Sequence, residues 1–365
     1  MGLSIIEIKA SPQYQLLDVN VENAKRSICT SFCDLLSYVS SIVICEHIAI
    51  ELIFHKYRDS LPRLFATLRS DEQATDVSAS QINAAISAHL TTAHYTVHEV
   101  TGQEFAEVVN ELRSQLTGKI VAITKDEKLI TSNISYSGYY YYTDIFESIG
   151  AKPVEINNHN ALINQLMACE KAMVAFQLIP TQLTKEEYYA LSSLSGELAT
   201  TTYGLVVRNQ MVREVAAEAP KKTYTYYTER VSQPLFIGNI IAASERDDLN
   251  GIVAALKSGI QQSLSDPISL ASVELVNNQQ LSYDFFRLPW NIYSQLLLNY
   301  RNRNIWNGTI YQPTNLMRLP FLFTAAEATT YFKLPIDDGK IHGIRSNRAA
   351  NDNEVINDKV FSEDN

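Results

Sequence analysis

The chain has 365 residues, of which 46% are hydrophobic and 19% are charged, a composition that excludes a largely disordered protein and allows two or three domains. Forty acidic residues against 30 lysines and arginines give a net charge of −10, so the field of the whole chain repels nucleic acid, and any DNA contact requires a local basic patch. No apolar run approaches the ~20 residues that span a bilayer, because charged residues interrupt the longest candidate, 40–54.

In residues 1–118, the apolar pattern predicts strands that alternate with helices, an N-terminal α/β domain. A first strand is expected at 5–9, followed by a helix at 20–39. The strongest strand candidate is 42–57, in which apolar residues alternate from Ile48 to Phe54. Helices are then expected at 60–68, 78–90 and 104–116, the last with Thr101 as its N-cap.

Residues 119–207 are predicted to form a second α/β domain. The expected elements are a strand at 119–124, a helical turn at 144–149, a strand at 153–156, a helix at 161–169, a strand at 172–180 and a helix from Thr184 to about 198. The strand at 172–180 is almost wholly apolar, which is typical of a strand buried on both faces.

Residues 208–233 are polar and rich in tyrosine, with Pro220, Lys221 and Lys222 at their centre, and they are interpreted as a linker or mobile arm. A C-terminal α/β segment is expected at 234–344 and a polar tail at 345–365. Its predicted elements are a strand at 234–243, a helix ending near 264, a strand within 267–281, a helix at 288–302 and a closing segment at 319–334. The fold class is therefore α/β (α+β), with mixed sheets flanked by helices in repeated β-α units and two to three subdomains.

The four cysteines, Cys29, Cys33, Cys45 and Cys169, lie in predicted apolar segments, and the chain opens without a basic-then-apolar signal peptide. We therefore expect reduced, buried thiols and a cytoplasmic location. Cys29 and Cys33 lie four residues apart on one helix face, but no CxxC pair or clustered histidine completes a metal site. No metal or cofactor is expected.

Three histidines, His89, His94 and His98, lie close together in the sequence. The β-branched and aromatic residues at 95–97 favour a strand, which would separate His94 and His98 by about 13 Å. That distance is too large for both to bind one ion, so ordinary surface or half-buried histidines are favoured over a metal or acid–base role.

A phosphate-binding loop, GxxxxGK[ST], requires a glycine five residues before its Gly-Lys pair. The chain has two Gly-Lys pairs, at 118–119 and 339–340, but Arg113 and Leu334 stand where the first glycine is needed. Both pairs are followed by isoleucine. GxGxxG and GxSxG are also absent, and we expect no catalytic residue.

Two patches combine basic and aromatic residues, the chemistry by which single-stranded nucleic acid is bound. The first contains Lys221, Lys222, Tyr224, Tyr226, Tyr227 and Arg230, and the second contains Arg301, Arg303 and Trp306. The alternative interpretation is an exposed tyrosine-rich strand and a helix C-terminus whose arginines complement the dipole. The tyrosine run at 139–142 is equally open to interpretation as a protein contact or as a half-buried strand.

Residues 321–344, FLFTAAEATTYFKLPIDDGKIHGI, contain an apolar strand, a short helix opened by Thr324 and a stop at Leu334 and Pro335. This segment resembles the T/S-x-x-E-x-A-x-x-[FW]-x-L-P segment that precedes the motor domain of HerA/FtsK-type conjugation and type IV secretion ATPases. LLDVNVENAKRS, CEHIAIELIF, LPRLFATLRSD, AMVAFQLIPTQLTKEEYYAL and PLFIGNIIAASERDD resemble earlier pieces of the same proteins, in the same order. The motor domain with its Walker motifs is missing, so no catalytic residue carries over.

The resemblance implies a non-motor region that mediates oligomerisation or attachment to a secretion or translocation machine, with a docking segment at Phe332, Leu334 and Pro335. The first hypothesis is thus a cytoplasmic, non-catalytic adaptor, peripheral to a membrane-bound machine, that binds an ATPase motor subunit or its own copies. The second is a DNA-handling subunit of a plasmid, phage or anti-phage system, and the third is an enzyme with an unrecognised site. The tail, with apolar residues at Val355, Ile356, Val360 and Phe361, is either a disordered terminus or a peptide that folds onto a partner.

Overall fold

A computed structural model describes residues 2–14, 20–42, 47–70, 76–131, 139–146, 157–207, 211–274, 315–339 and 343–347. The strands are β1 (Gly2–Pro12), β2 (Ile48–Tyr57), β3 (Arg63–Ser70), β4 (Thr96–Glu99), β5 (Lys119–Lys125), β6 (Glu127–Thr131), β7 (Tyr139–Thr143), β8 (Lys171–Thr181), β9 (Leu235–Ser244), β10 (Leu270–Glu274), β11 (Leu322–Thr324) and β12 (Ser346–Asn347). The helices are α1 (Val21–Ile42), α2 (Asp76–Thr92), α3 (Gly102–Gln115), α4 (Asn160–Met167), α5 (Lys185–Val207), α6 (Met211–Glu229), α7 (Asn250–Gln262) and α8 (Ala325–Ala328).

One large sheet organises the described part of the chain, in the order β10-β5-β9-β8-β2-β3-β1-β12, with β4 paired to β1 and β11 paired to β9. Neighbouring strands are antiparallel, except that β12 runs parallel to β1. The α/β class is confirmed. Strands from the predicted units 1–118, 119–207 and 234–344 all belong to this sheet, so these units share one framework.

Helices cover both faces of the sheet. One hydrophobic core lies beneath α1, α2, α4, α7 and α8, and the other lies beneath α3, α5, α6 and the β6–β7 hairpin. The predicted burial of the 172–180 strand is confirmed, because β8 is buried along its whole length. Within the described ranges, no helix is both long enough and apolar enough to cross a membrane.

Two predicted elements are wrong. The helix predicted at 60–68 is strand β3, which forms a hairpin with β2 and places Leu64 and Leu68 in one core and Phe65 in the other. The tyrosine-rich stretch interpreted as a linker or arm is largely helix α6, with Pro220 inside it. Residues 144–146 are not helical, and the strand predicted at 153–156 and the helix predicted at 288–302 lie outside the described residues.

A row of buried polar side chains crosses four adjacent strands on the α3/α5/α6 face. Glu51 accepts hydrogen bonds from Thr67 (2.6 Å), the Arg69 Nε (2.6 Å) and Gln177 (2.8 Å), and Asn239 donates to Gln177 (2.7 Å). Buried polar groups are costly when unpaired, so a shift of one strand would break this row. The row therefore favours the observed register of β3, β2, β8 and β9.

Candidate interaction groove

The closing segment adds a short strand and a helix beside β9, an interior strand of the sheet, at the end of β9 that β5 does not pair with. Strand β11 pairs with the first half of β9, with Leu322 opposite Ile237. Thr324 then caps α8, because its Oγ1 accepts a hydrogen bond from the Glu327 backbone (3.1 Å) while the Glu327 carboxylate accepts one from the Thr324 backbone (2.9 Å). This reciprocal capping box fixes where the helix begins. The predicted opening of the helix by Thr324 is confirmed.

The Glu327 carboxylate joins the closing segment to the rest of the protein. It lies 2.7 Å from the Lys125 ammonium at the end of β5, and both side chains have no exposed surface. The same oxygen, Oε1, accepts a hydrogen bond from the Phe146 backbone at 3.0 Å. One carboxylate thus holds α8, β5 and the segment after β7 in a single arrangement.

Lys125 is satisfied in all three of its donor positions. Its Nζ donates to the Tyr227 hydroxyl, the Leu322 carbonyl and Glu327, each at 2.7 Å. The ammonium also lies 4.3 Å from the centre of the Phe323 ring. Burial lowers the pKa of Lys125, and the neighbouring Glu327 carboxylate opposes that change. Burial also raises the pKa of Tyr227, which stays a neutral hydroxyl.

A groove of about 400 Å³ lies between α1, the end of α6 and the start of α8. Its lining residues come from four places in the chain. They are Cys33 and Ser37 of α1, Phe146, Tyr226 of α6 with Arg230, Gln233 and Pro234 after it, and Thr324, Ala325 and Ala326 of the closing segment. Its volume lies within the range of ~300–1,000 Å³ common for ligand pockets.

Two contacts set the polar side of the groove. The Tyr226 hydroxyl lies 3.0 Å from the Thr324 Oγ1, which links α6 to the N-terminus of α8. The Arg230 guanidinium lies over the Tyr226 ring, 3.9 Å from its centre, and donates to the Tyr226 carbonyl at 3.1 Å. Tyr227, the residue that follows Tyr226 in α6, accepts a hydrogen bond from Lys125. The buried Lys125–Glu327 pair therefore also positions Tyr226.

The charge of the groove comes from one residue. Among the lining residues, Arg230 carries the only formal charge, in a chain whose net charge is −10. The carboxylate of Glu229, which is not a lining residue, lies 3.8 Å from the Arg230 Nη1. Arginine beside tyrosine is a common composition of protein-binding sites.

Cys33 does not have the properties of a catalytic thiol. Its pKa is raised, chiefly by burial and then by the nearby Asp34 carboxylate. Nucleophilic cysteines instead have a lowered pKa. Burial thus favours the protonated, less nucleophilic form of this thiol. Across the described ranges, no group of three or more histidine, cysteine, aspartate or glutamate residues is placed to hold a metal ion.

The first predicted basic–aromatic patch is divided by the helix. Tyr226 and Arg230 line the groove, whereas Tyr224 and Tyr227 have no exposed surface. Tyr224 donates to the Tyr141 carbonyl, and the two rings are therefore not available to stack with bases. Lys221 is half-buried, and the exposed Lys222 lines a separate pocket of about 90 Å³ with Asp144 and Asp266. The second patch, Arg301, Arg303 and Trp306, lies outside the described residues.

The predicted docking segment is not on the surface. Phe332, Leu334 and Pro335 are buried, with Phe332 and Leu334 in the core beneath α1. The Leu334 carbonyl accepts a hydrogen bond from the buried Tyr95 hydroxyl at 3.2 Å. Their apolar character serves the chain's own core, and the accessible part of the closing segment is its start, where Ala326 is exposed.

Sequence reasoning missed the residues that position the groove. Glu327 has a detectable signal, since it stands three residues after Thr324 in the capping-box pattern. Lys125 has none, because its partner lies 202 residues away. Cys33 and Ser37 have the helical spacing of one face of α1, but this spacing does not distinguish a groove wall from a core contact.

No family model and no curated protein matches this chain. Two features therefore bear on function: the geometry of the groove, and the resemblance of residues 321–344 to the segment before the motor domain of HerA/FtsK-type ATPases.

Proposed function

We propose that this chain is a non-catalytic assembly protein that oligomerises or attaches a separate ATPase motor subunit, and that the groove is its protein-binding site. The observation that supports this most strongly is the way the closing segment is built. The segment that resembles the approach to a motor domain forms the α8 wall of the groove, and the buried Lys125–Glu327 pair holds that wall in place.

The chemistry of the groove also favours a protein partner. Its polar groups are an arginine stacked on a tyrosine, two further hydroxyls and an amide. Interfaces are enriched in arginine and tyrosine. A raised thiol pKa at Cys33 argues against a nucleophile at this site.

The Gly118–Lys119 pair also has the wrong position in the fold for a phosphate-binding loop. Gly118 follows α3, and Lys119 is the first residue of β5. A phosphate-binding loop connects a strand to a following helix, which is the reverse order. In our proposal, nucleotide hydrolysis belongs to the partner.

The proposal is tested by mixing the purified chain with the ATPase encoded beside its gene and measuring mass by light scattering. We expect a complex of defined stoichiometry, weakened by Ala326→Trp, which fills the groove from an exposed position. Arg246→Ala is the matched control, because this exposed arginine binds Glu170 and does not line the groove. A chain that stays monomeric at every concentration and leaves the ATPase unbound contradicts the proposal.

A DNA-handling role is the second candidate, because Lys221 and Lys222 precede the Arg230–Tyr226 pair on α6. This role predicts binding of a single-stranded oligonucleotide that weakens steeply with salt and that Lys221→Ala/Lys222→Ala reduces. Binding that the double substitution leaves unchanged, or no binding at low salt, removes this candidate.

A further inference from the structure

We propose that the groove binds the acidic segment 352–364 of a second copy of this chain, so that copies join head to tail. This inference rests on the proposed assembly function and names the occupant of the same site. The segment lies outside the described residues, and only its sequence enters the argument.

Charge is the first reason for this choice. The groove has one cation, Arg230, and its lining contains no aspartate or glutamate. The Arg230 guanidinium has five N–H donors, of which Nη1 donates to the Tyr226 carbonyl and lies 3.8 Å from the exposed Glu229 carboxylate. Such an exposed ion pair contributes little to stability, so an incoming carboxylate can replace Glu229. The segment is strongly acidic, with Asp352, Glu354, Asp358, Glu363 and Asp364 against Lys359. Arginine pairs with carboxylates through two parallel hydrogen bonds, which orients the bound segment.

Apolar complementarity is the second reason. The segment places Val360 and Phe361 directly before Glu363 and Asp364, so an apolar anchor and a carboxylate lie within four residues. The groove offers Phe146, Pro234 and Ala325 beside Arg230. A groove of about 400 Å³ has room for one aromatic side chain and its neighbours.

The geometry of such a contact has a consequence for assembly. A groove on one copy that binds a tail from the next is a heterologous interface, since different surfaces meet. Interfaces of this kind produce closed rings or open filaments rather than simple two-fold dimers. Every copy then has one groove and one tail to contribute.

The test uses two full-length variants that are defective in opposite halves of the contact. Arg230→Ala/Ala326→Trp disables the groove, and Val360→Ser/Phe361→Ser disables the tail. Sedimentation velocity is expected to show concentration-dependent association of the unmodified chain, weakened about tenfold or more in each variant. An equimolar mixture is expected to form one-to-one dimers and nothing larger, because only one intact groove can meet one intact tail.

Each possible failure is informative. A monomeric unmodified chain, a variant that associates like the unmodified chain, or a mixture without dimers overturns the proposal. If the tail instead docks in the groove of its own copy, the unmodified chain is monomeric or the mixture contains no dimers. A synthetic peptide of residues 349–365 is expected to dissociate the assemblies while a scrambled peptide does not, which keeps the test valid if the groove variant folds poorly.

The self-association experiment and the ATPase-binding experiment can fail independently of each other. Loss of self-association in the tail variant with retained ATPase binding confirms the tail contact and leaves the adaptor function intact. Self-association that the tail variant does not reduce overturns the tail contact alone.

Discussion

Glu327 is the single residue on which the groove depends most. Its carboxylate accepts hydrogen bonds from Lys125, Phe146 and Thr324, and no part of it reaches solvent. Removing one partner of a buried ion pair leaves the other charge uncompensated, a cost of ~3–5 kcal/mol. Replacing both partners with apolar residues avoids that cost.

We therefore predict that Glu327→Ala lowers the free energy of unfolding by ~3–5 kcal/mol in urea denaturation. Lys125→Met/Glu327→Leu is expected to cost clearly less than the sum of the single changes. Glu186→Ala, at an exposed position in the first turn of α5, serves as the control and should stay within ~0.5 kcal/mol. A Glu327→Ala protein as stable as this control would show that the pair does not hold the wall.

Two buried histidines make the fold sensitive to acid. Burial lowers the pKa of His55 to about 3, with a further contribution from the Arg63 guanidinium. Burial and then the Lys333 ammonium lower the pKa of His159 to about 3. In the unfolded chain both titrate near the ordinary value of ~6.5, so between these values the unfolded state binds more protons. Stability is fully present above ~6.5 and is lost as the pH falls toward 3.

The predicted slope is up to ~1.4 kcal/mol per pH unit for each histidine. Both ring nitrogens of His55 lack a hydrogen-bond partner among the described residues, so His55→Phe sacrifices no such bond. We expect this substitution to reduce the fall in stability between pH 6.5 and 5, measured by urea unfolding at each pH. An unaltered slope in His55→Phe contradicts the assignment.

At the scale of elements, the closing segment requires a glycine in the strand beneath it. A Cβ at Gly238 of β9 would lie 2.4 Å from the Tyr331 hydroxyl and 2.6 Å from the Phe323 ring. Both distances are shorter than atoms tolerate, and overpacking of this kind costs ~1–3 kcal/mol. β9 and the closing segment thus fit only because this position has no side chain.

Gly238→Ala is expected to destabilise the protein and to raise hydrogen exchange selectively at the amides of β11 and α8. Gly196→Ala is the matched control, because a Cβ there meets nothing within 4 Å and alanine is the better helix former in α5. Equal exchange in the two variants would show that the closing segment does not need the close approach at Gly238.

Regular periodicity explains which elements the sequence could predict. Helix α1 and strand β2 are predictable because their apolar residues follow one period over many residues, whereas β8 is predictable because it is an almost continuous apolar run. The sequence predicts a helix where β3 forms, because a short apolar run fits both the helical and the strand period. Only the pairing of this segment with β2 makes it a strand. The sequence predicts a linker where α6 forms, because Pro220 and two lysines are typical of loops and interrupt the apolar pattern. The buried face of this helix is formed by Tyr224 and Tyr227.

At the scale of the whole molecule, one sheet joins strands that the sequence assigned to separate units. Local patterns do not show which distant strands pair, so neither the shared sheet nor the Lys125–Glu327 contact was predictable. The groove likewise depends on four separate parts of the chain, and the sequence singles out Tyr226, Arg230 and Thr324 without placing them together.

Our proposal that this chain assembles partners rather than catalysing a reaction can be examined by light scattering on the chain alone and mixed with the ATPase encoded beside its gene, with Ala326→Trp and Arg246→Ala in parallel. We expect an assembly larger than a monomer that Ala326→Trp weakens and Arg246→Ala does not. A monomer in both samples, at every concentration, would rule out an assembly function.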